Sequence, residues 1–283
     1  MGHNPLLKYI LTFGLFLFFT ASACADPVKN GELKEYYDDG ALMAVSNYKD
    51  DKLDGVQKSY YRNRKLSSEI TYENGIMKGL QKQYYENGQL EAEWTADENE
   101  DPHGITTAFL EDGTQLYQAR FEHGRFIGND GKPFNGLREI KYPDGKLYSS
   151  ANYIDGFKEG RRKEFYPDGV LKEEMDYVHN KRNGEGIQYF ESGQIMKKAG
   201  FRNDEPDGAA FAYFENGQLG ESRIYRDGKL NGEYKEFYED GKLSASAFYT
   251  DDKITGQFIY FYPNGVKESV FEYDSDGNMT GET

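Results

Sequence analysis

The 283-residue chain has one cysteine, Cys24, so no disulfide can form within a single copy, and cohesion has to come from packing and strand pairing. Histidine is almost as scarce. Of the four, His3 lies near the N-terminus, and His103, His123 and His179 stand at no metal-ligand spacing and beside no nucleophile motif, so catalytic, metal and cofactor-binding residues are expected to be none. Cationic charge is short as well: 34 Lys and Arg against 49 Asp and Glu leave a net −15. Because Lys8 is the only charged residue in 1–25, the rest of the chain carries −16, which argues against nucleic acid and anionic headgroups as partners. Beyond residue 25 no apolar run is long enough to hold the chain in a membrane. An apolar content of 37% with 29% charged residues is low for a compact globule, yet 16% aromatic residues is too many for a disordered chain. A thin, repetitive, aromatic-rich β structure reconciles these figures.

The first 25 residues have the three-part layout of a secretory signal: Met1 to Lys8 with its single cation, an apolar stretch from Tyr9 to Phe19, and small residues from Thr20 to Ala25. Export is therefore expected. Ala23-Cys24-Ala25 before Asp26 fits a small-x-small cleavage site, which would give a soluble periplasmic or secreted form. Ala21-Ser22-Ala23-Cys24 is also similar to a lipobox, with Ala21 where a bulky aliphatic residue is usual, which would make Cys24 a lipidation site and anchor the chain in the envelope. Both readings stand at this stage.

What the chain has in abundance is a repeat. Glycines fall at Gly31, Gly55, Gly79, Gly104, Gly136, Gly160, Gly184, Gly208, Gly232 and Gly256, and seven of the nine spacings are 24 residues. Five and six residues after each glycine stands an aromatic pair, as in Tyr36-Tyr37, Tyr60-Tyr61, Tyr84-Tyr85, Tyr189-Phe190, Tyr213-Phe214 and Phe237-Tyr238. Seventeen residues after it a third aromatic recurs, from Tyr48 to Tyr273, interrupted only by Ala96. A turn separates pair from third aromatic, as in Asp38-Asp39-Gly40, Pro143-Asp144-Gly145 and Pro263-Asn264-Gly265. Proline cannot adopt positive φ, so its use at the first corner excludes the primed turns and predicts a type I turn closed by a glycine bulge. In the second repeat Asn63-Arg64 stands in that place, so a non-glycine residue is expected at positive φ. The second strand alternates, which puts Leu243, Ala245, Ala247 and Tyr249 on one face. A second turn, as in Ile154-Asp155-Gly156, leads to the next glycine, so the strands meander.

The phrase Gly-x(4)-Tyr-Tyr-x-Asn-Gly-x-Leu-x(5)-Tyr-x-Asp/Asn-Gly resembles the bacterial variant of the MORN repeat found in YwqK-like antitoxin family proteins, and it covers essentially all of the chain beyond the signal. Asn129 to Gly136 is similar to a connecting phrase of that family. The resemblance implies an all-β fold, an elongated single-layer antiparallel meander of about ten stacked 24-residue β-hairpins, without catalytic residues. The family label implies a toxin-neutralising partner. The resulting division is a signal peptide at 1–25, repeats 1–4 at 26–121, an insertion or joint at 122–135, and repeats 5–10 with a C-terminal cap at 136–283.

Two oxygen-rich segments, Asp97 to Asp101 and Asp274 to Asn278, lack the twelve-residue calcium loop with a distal glutamate and read as solvated turns. The aromatic pair carries the functional expectation. Neighbouring residues of a strand point to opposite faces, so one row is covered and the other more open. That open row, Tyr36, Tyr60, Tyr84, Tyr189, Tyr213 and Phe237, is the candidate binding ladder. The expected function is a non-enzymatic, exported interaction scaffold with a protein partner, a basic one given the acidic surface; the alternative is a toxin-neutralising, immunity-type inhibitor.

Overall fold

The computed structural model describes residues 29–282, so the export segment and Cys24 lie outside the described residues. Every regular element among the described residues is a β-strand. In repeat 1, Gly31–Tyr36 runs antiparallel to Leu42–Lys49, with Gly31 opposite Tyr48, Leu33 opposite Ser46 and Glu35 opposite Ala44. The pairing of leading glycine with third aromatic returns as Gly55 with Tyr72, Gly104 with Phe121, Gly160 with Tyr177, Gly184 with Phe201, Gly208 with Tyr225, Gly232 with Tyr249 and Gly256 with Tyr273; Ala96 takes the aromatic's place opposite Gly79. All ten leading glycines have positive φ, from +73° at Gly160 to +140° at Gly232. An L-residue held there costs about 1–2 kcal/mol, which is why glycine marks the repeat.

The first turn follows the sequence reading. The Gly40 N–H donates to the Tyr37 carbonyl at 2.9 Å and the Tyr37 N–H to the Ala41 carbonyl at 2.8 Å, with Gly40 at φ +81°, the pattern of a type I turn with a glycine bulge. The Asp39 carboxylate accepts the Ala41 N–H, so the acidic corner is an internal cap. Arg64 does adopt φ +68° in repeat 2. The second turn is of another kind. Asp50 and Asp51, at φ +50° and +63°, form a two-residue link between paired Lys49 and Lys52, and His179-Asn180 and Asn203-Asp204 do the same. Positive φ at both corners marks the primed turn whose twist matches an antiparallel pair, and Asx residues tolerate it best after glycine.

Hairpins follow one another in chain order within two antiparallel sheets, one from Gly31–Tyr36 to Arg125–Ile127, the other from Gly136–Lys141 to Met279–Glu282. Two compact units are distinguished: residues 29–145 with 153–157, and residues 146–152 with 158–282. Within the first, the stretch 122–135 supplies Phe126 and Phe134, whose rings lie 5.3 Å apart, and Phe126 lies 5.3 Å from Tyr153. The Arg138 guanidinium caps Phe126 at 4.3 Å.

Alternation divides each hairpin into two faces. Ala245 is fully buried and Ala247 nearly so, on the face they share with Leu243 and Tyr249, as their spacing predicts. This covered face is more polar than a globular core. Ser46 is buried and accepts a hydrogen bond from Gln57 Nε2 at 2.9 Å. Gln81 is fully buried, its Oε1 taking the Thr71 N–H at 2.8 Å and its Nε2 donating to the Gly79 carbonyl at 3.1 Å. Arg162 bonds Glu164 and lies 3.1 Å from Glu173. Such pairing satisfies groups that would otherwise be costly to bury, and lets a chain with little apolar content cover one side of its sheets.

Candidate interaction surface

The two members of each aromatic pair have different tasks. In five repeats the second is a tyrosine that reaches along the first-turn edge to the next repeat: Tyr37 donates its hydroxyl to the Tyr60 carbonyl at 2.7 Å, Tyr61 to Tyr84 at 2.6 Å, Tyr85 to Phe109 at 2.9 Å, Tyr166 to Tyr189 at 2.7 Å and Tyr238 to Phe261 at 2.6 Å. Each bond spans 23 or 24 residues and fastens one hairpin to its successor. The asparagine at the turn corner does likewise, with Asn63, Asn87 and Asn216 donating to the carbonyls of Glu86, Glu111 and Glu239. Tyr61→Phe is expected to lower unfolding free energy by about 1 kcal/mol, shifting the urea midpoint at constant slope. A shift within error would show that the hydroxyl bond is not a repeat-to-repeat fastener.

The first member of the pair, expected from the sequence as the more open row, is exposed at only one of the six candidate positions. Tyr36 is 57% exposed; Tyr60, Tyr84, Tyr189, Tyr213 and Phe237 are half-buried. Two of these rungs are tied down, Tyr84 donating to Glu69 Oε2 and Tyr189 to Glu174 Oε1, both at 2.9 Å. Burial and the neighbouring carboxylate push both phenols up to about 12. Tyr36 and Tyr60 line a shallow groove of about 360 Å³ with Ala41, Leu42 and Arg64. A larger groove of about 460 Å³ lies on the second unit between Lys181, Arg202 and Asp227, and its charges are engaged with one another: Arg202 pairs with Asp207 and, at 3.2 Å, with Asp227.

By strand alternation the ladder shares its face with the residues one and three places after the leading glycine. In the first unit the former are all aliphatic and exposed in repeats 2 to 5: Val56 at 38%, Leu80 at 49%, Ile105 at 53% and Leu137 at 61%. Lys58 and Lys82 stand two residues on, Lys58 paired with Glu69 at 3.1 Å. In the second unit the same position holds Arg161, Glu185, Ala209, Glu233 and Gln257. Arg161 there forms a two-pronged bond with Asp176 at 2.8 and 2.7 Å, and Lys198 pairs with Glu185 at 2.7 Å. At this one position the open face is aliphatic in repeats 2 to 5, whereas in the second unit it is mostly charged or polar, with Ile224 and Phe248 as exposed apolar residues on the adjoining strands. This aliphatic row escaped the sequence reading, although its spacing is that of the repeat.

The second-turn edge is also periodic. In repeats 1, 2, 5 and 6 the residue before the leading glycine caps the second turn of its own repeat: Asn30 accepts the Asp50 N–H, Asp54 that of Asn74, Asn135 that of Asp155 and Glu159 that of His179. In repeat 4 this place is taken by His103, and the turn corner by His123 at φ +48°. Although the sequence shows no metal-ligand spacing among the histidines, the fold brings ligand atoms of Asp97, His103 and His123 within 4.8 Å of one another. The two oxygen-rich segments are turns capped by their first aspartate, and Asp97 is buried. Asp97 Oδ1 accepts the N–H groups of Asn99 and Asp101, and Asp274 Oδ1 those of Asp276 and Asn278. Burial would raise the Asp97 carboxyl, but the Asn99 N–H and the His123 side chain hold it below the usual carboxylate range.

No curated protein matches the chain. Among solved structures, a TcdB2-TccC3-Cdc42 complex is 12% identical over 86% of this chain at a TM-score of 0.19, and the Photorhabdus luminescens Tc holotoxin pore is 14% identical over 89% at 0.20. The chain spans 17% and 15% of the length of those chains. The family described as MORN repeat variant matches residues 29–50, 53–74, 77–97, 134–155, 158–179, 182–203 and 230–251. The repeats beginning at Gly104, Gly208 and Gly256, which that match passes over, keep the same register of glycine opposite aromatic. With more than half of its residues matched and the hairpin unit continuing between the matched segments, the chain belongs to the MORN repeat variant family.

Proposed function

We propose that this repeat protein is a non-enzymatic scaffold that binds a protein partner on the open face of its first unit. The observation that carries the reading is the aliphatic row Val56, Leu80, Ile105 and Leu137, exposed at one repeat position that holds Arg161, Glu185, Ala209, Glu233 and Gln257 in the second unit. Surface apolar residues scattered singly mean little, but a row repeated at one structural position offers anchors. Tyr36, with the groove it shares with Tyr60, extends the anchors toward the first-turn edge. The surrounding negative charge suits a partner with a basic rim around an apolar patch. Residues 1–25 and Cys24 support an exported protein, soluble in the periplasm or medium or lipid-anchored in the envelope. The second reading, a toxin-neutralising or immunity-type inhibitor, uses the same face against a basic toxin and is distinguished by what the partner does when released.

The test is a capture from the envelope fraction with the wild-type chain and with a Leu80→Glu, Ile105→Glu double variant. Both positions are exposed, so the variant is expected to fold and to retain its circular dichroism spectrum. The wild type is expected to hold a partner that the variant loses. A folded variant that captures the same proteins as the wild type would remove this face from the function.

A further inference from the structure

Repeat 4 departs from the rule of the second-turn edge in a way that brings ligands together. Repeats 1, 2, 5 and 6 place a side-chain oxygen before the leading glycine, where it takes the N–H of the turn corner twenty residues later. His103 offers an imidazole instead, and its ring faces that of His123 with centroids 4.8 Å apart. The third group comes from repeat 3. Asp97 has a side chain only 5% exposed, and its Oδ2 lies 2.6 Å from His123 Nδ1. Its Oδ1 is held by two backbone N–H groups, at 2.9 and 3.2 Å, so the carboxylate is fixed in orientation with one oxygen turned toward the imidazoles. Fixing a ligand by a second layer of hydrogen bonds is what a metal centre requires. Bonds of about 2.0–2.2 Å in a tetrahedral zinc site put neighbouring ligand atoms about 3.3 Å apart. His123 therefore has to draw back by less than an ångström and His103 to swing inward, and both rings are exposed enough to do so.

We propose that Asp97, His103 and His123 form a binding site for a divalent transition-metal ion of the zinc, nickel and copper class, with at least one coordination position left to water or to a partner's side chain. Two imidazoles and one carboxylate suit these ions, whereas calcium and magnesium prefer all-oxygen sets. A bound ion would staple the closing turn of repeat 3 to the hairpin of repeat 4, independently of what docks on the open face.

The full chain is titrated with Co²⁺ alone, read by visible absorption, and with Zn²⁺ alone, read by calorimetry. One ion per chain is expected, with a tetrahedral or five-coordinate cobalt spectrum. His103→Asn restores the capping residue found before Gly31 and Gly136, and His123→Asn places at the turn corner the residue that repeat 2 has there as Asn74, so both variants are expected to fold. Each is expected to weaken binding about 10-fold or more, while His179→Asn leaves it unchanged. No binding by the wild type, or binding that survives both His103→Asn and His123→Asn, would overturn the proposal.

Discussion

Gly200→Ala is expected to destabilise the folded chain by about 3 kcal/mol, opposite in sign to the usual effect of exchanging a glycine at ordinary φ for alanine. Such an exchange normally stabilises by about 0.4–1 kcal/mol, because alanine has fewer unfolded conformations to lose. Gly200 lies in the strand Ile195–Arg202 and has no positive φ, so backbone conformation gives it no reason to be glycine. The reason is the neighbouring strand. Between Ala199 paired with Ala210 and Phe201 paired with Pro206 the register slips, and the Asp207 carbonyl oxygen bulges to 2.3 Å from where a Cβ on residue 200 would stand. A backbone oxygen cannot rotate away as a side chain can, so the two strands have to separate locally and lose ladder bonds. Urea unfolding of the variant checks this; a variant as stable as the parent would mean that the bulge is not held rigidly.

Met175→Ala is expected to cost about 2–5 kcal/mol. Met175 is 1% exposed and the largest of the fully buried side chains among the described residues, lying on the covered face directly opposite Gly186 of the next repeat. The two fit as large against small: a Cβ on residue 186 would stand 2.1 Å from Met175 Cε and 3.2 Å from the Phe201 ring. Gly186→Ala alone is therefore expected to be destabilising by about 1–3 kcal/mol, since the thioether has to leave its place. Combined, the two substitutions are expected to cost less than their sum by about 1 kcal/mol, because the alanine at 175 vacates the space that the alanine at 186 needs. Additive costs would show that the two residues do not share one volume.

The hairpins, their first turns and their covered face were legible because each depends on residues a few places apart. Proline at a turn corner decides the turn type by itself, and Arg64 in place of glycine announces its own strained backbone. Contacts one full repeat apart were not legible in the same way. The hydroxyl of Tyr61 could have faced solvent, a carboxylate or the next strand, and only the register of neighbouring hairpins aims it at the Tyr84 carbonyl. Half-burial of the ladder has the same origin, since Glu69 and Glu174 reach across from the adjoining repeat to hold Tyr84 and Tyr189. Spacing alone set Asp97, His103 and His123 apart, six and twenty residues between neighbours, whereas stacking of the second turns makes them adjacent. The signal that would have found them is positional: His103 and His123 stand at the two repeat positions that Glu159 and His179 occupy in repeat 6, where one residue caps the other.

The central claim is that each hairpin is held by its two neighbours in a fixed, transferable register, and excising one repeat tests it most directly. Deleting residues 208–231 removes one whole repeat and joins Asp207 to Gly232, so that a capping residue again precedes a leading glycine. A folded, shorter chain with unchanged β circular dichroism per residue is expected, because nearest-neighbour interfaces carry the stability of such arrays. Loss of the β signal, or of cooperative unfolding, on removing this one repeat would contradict it.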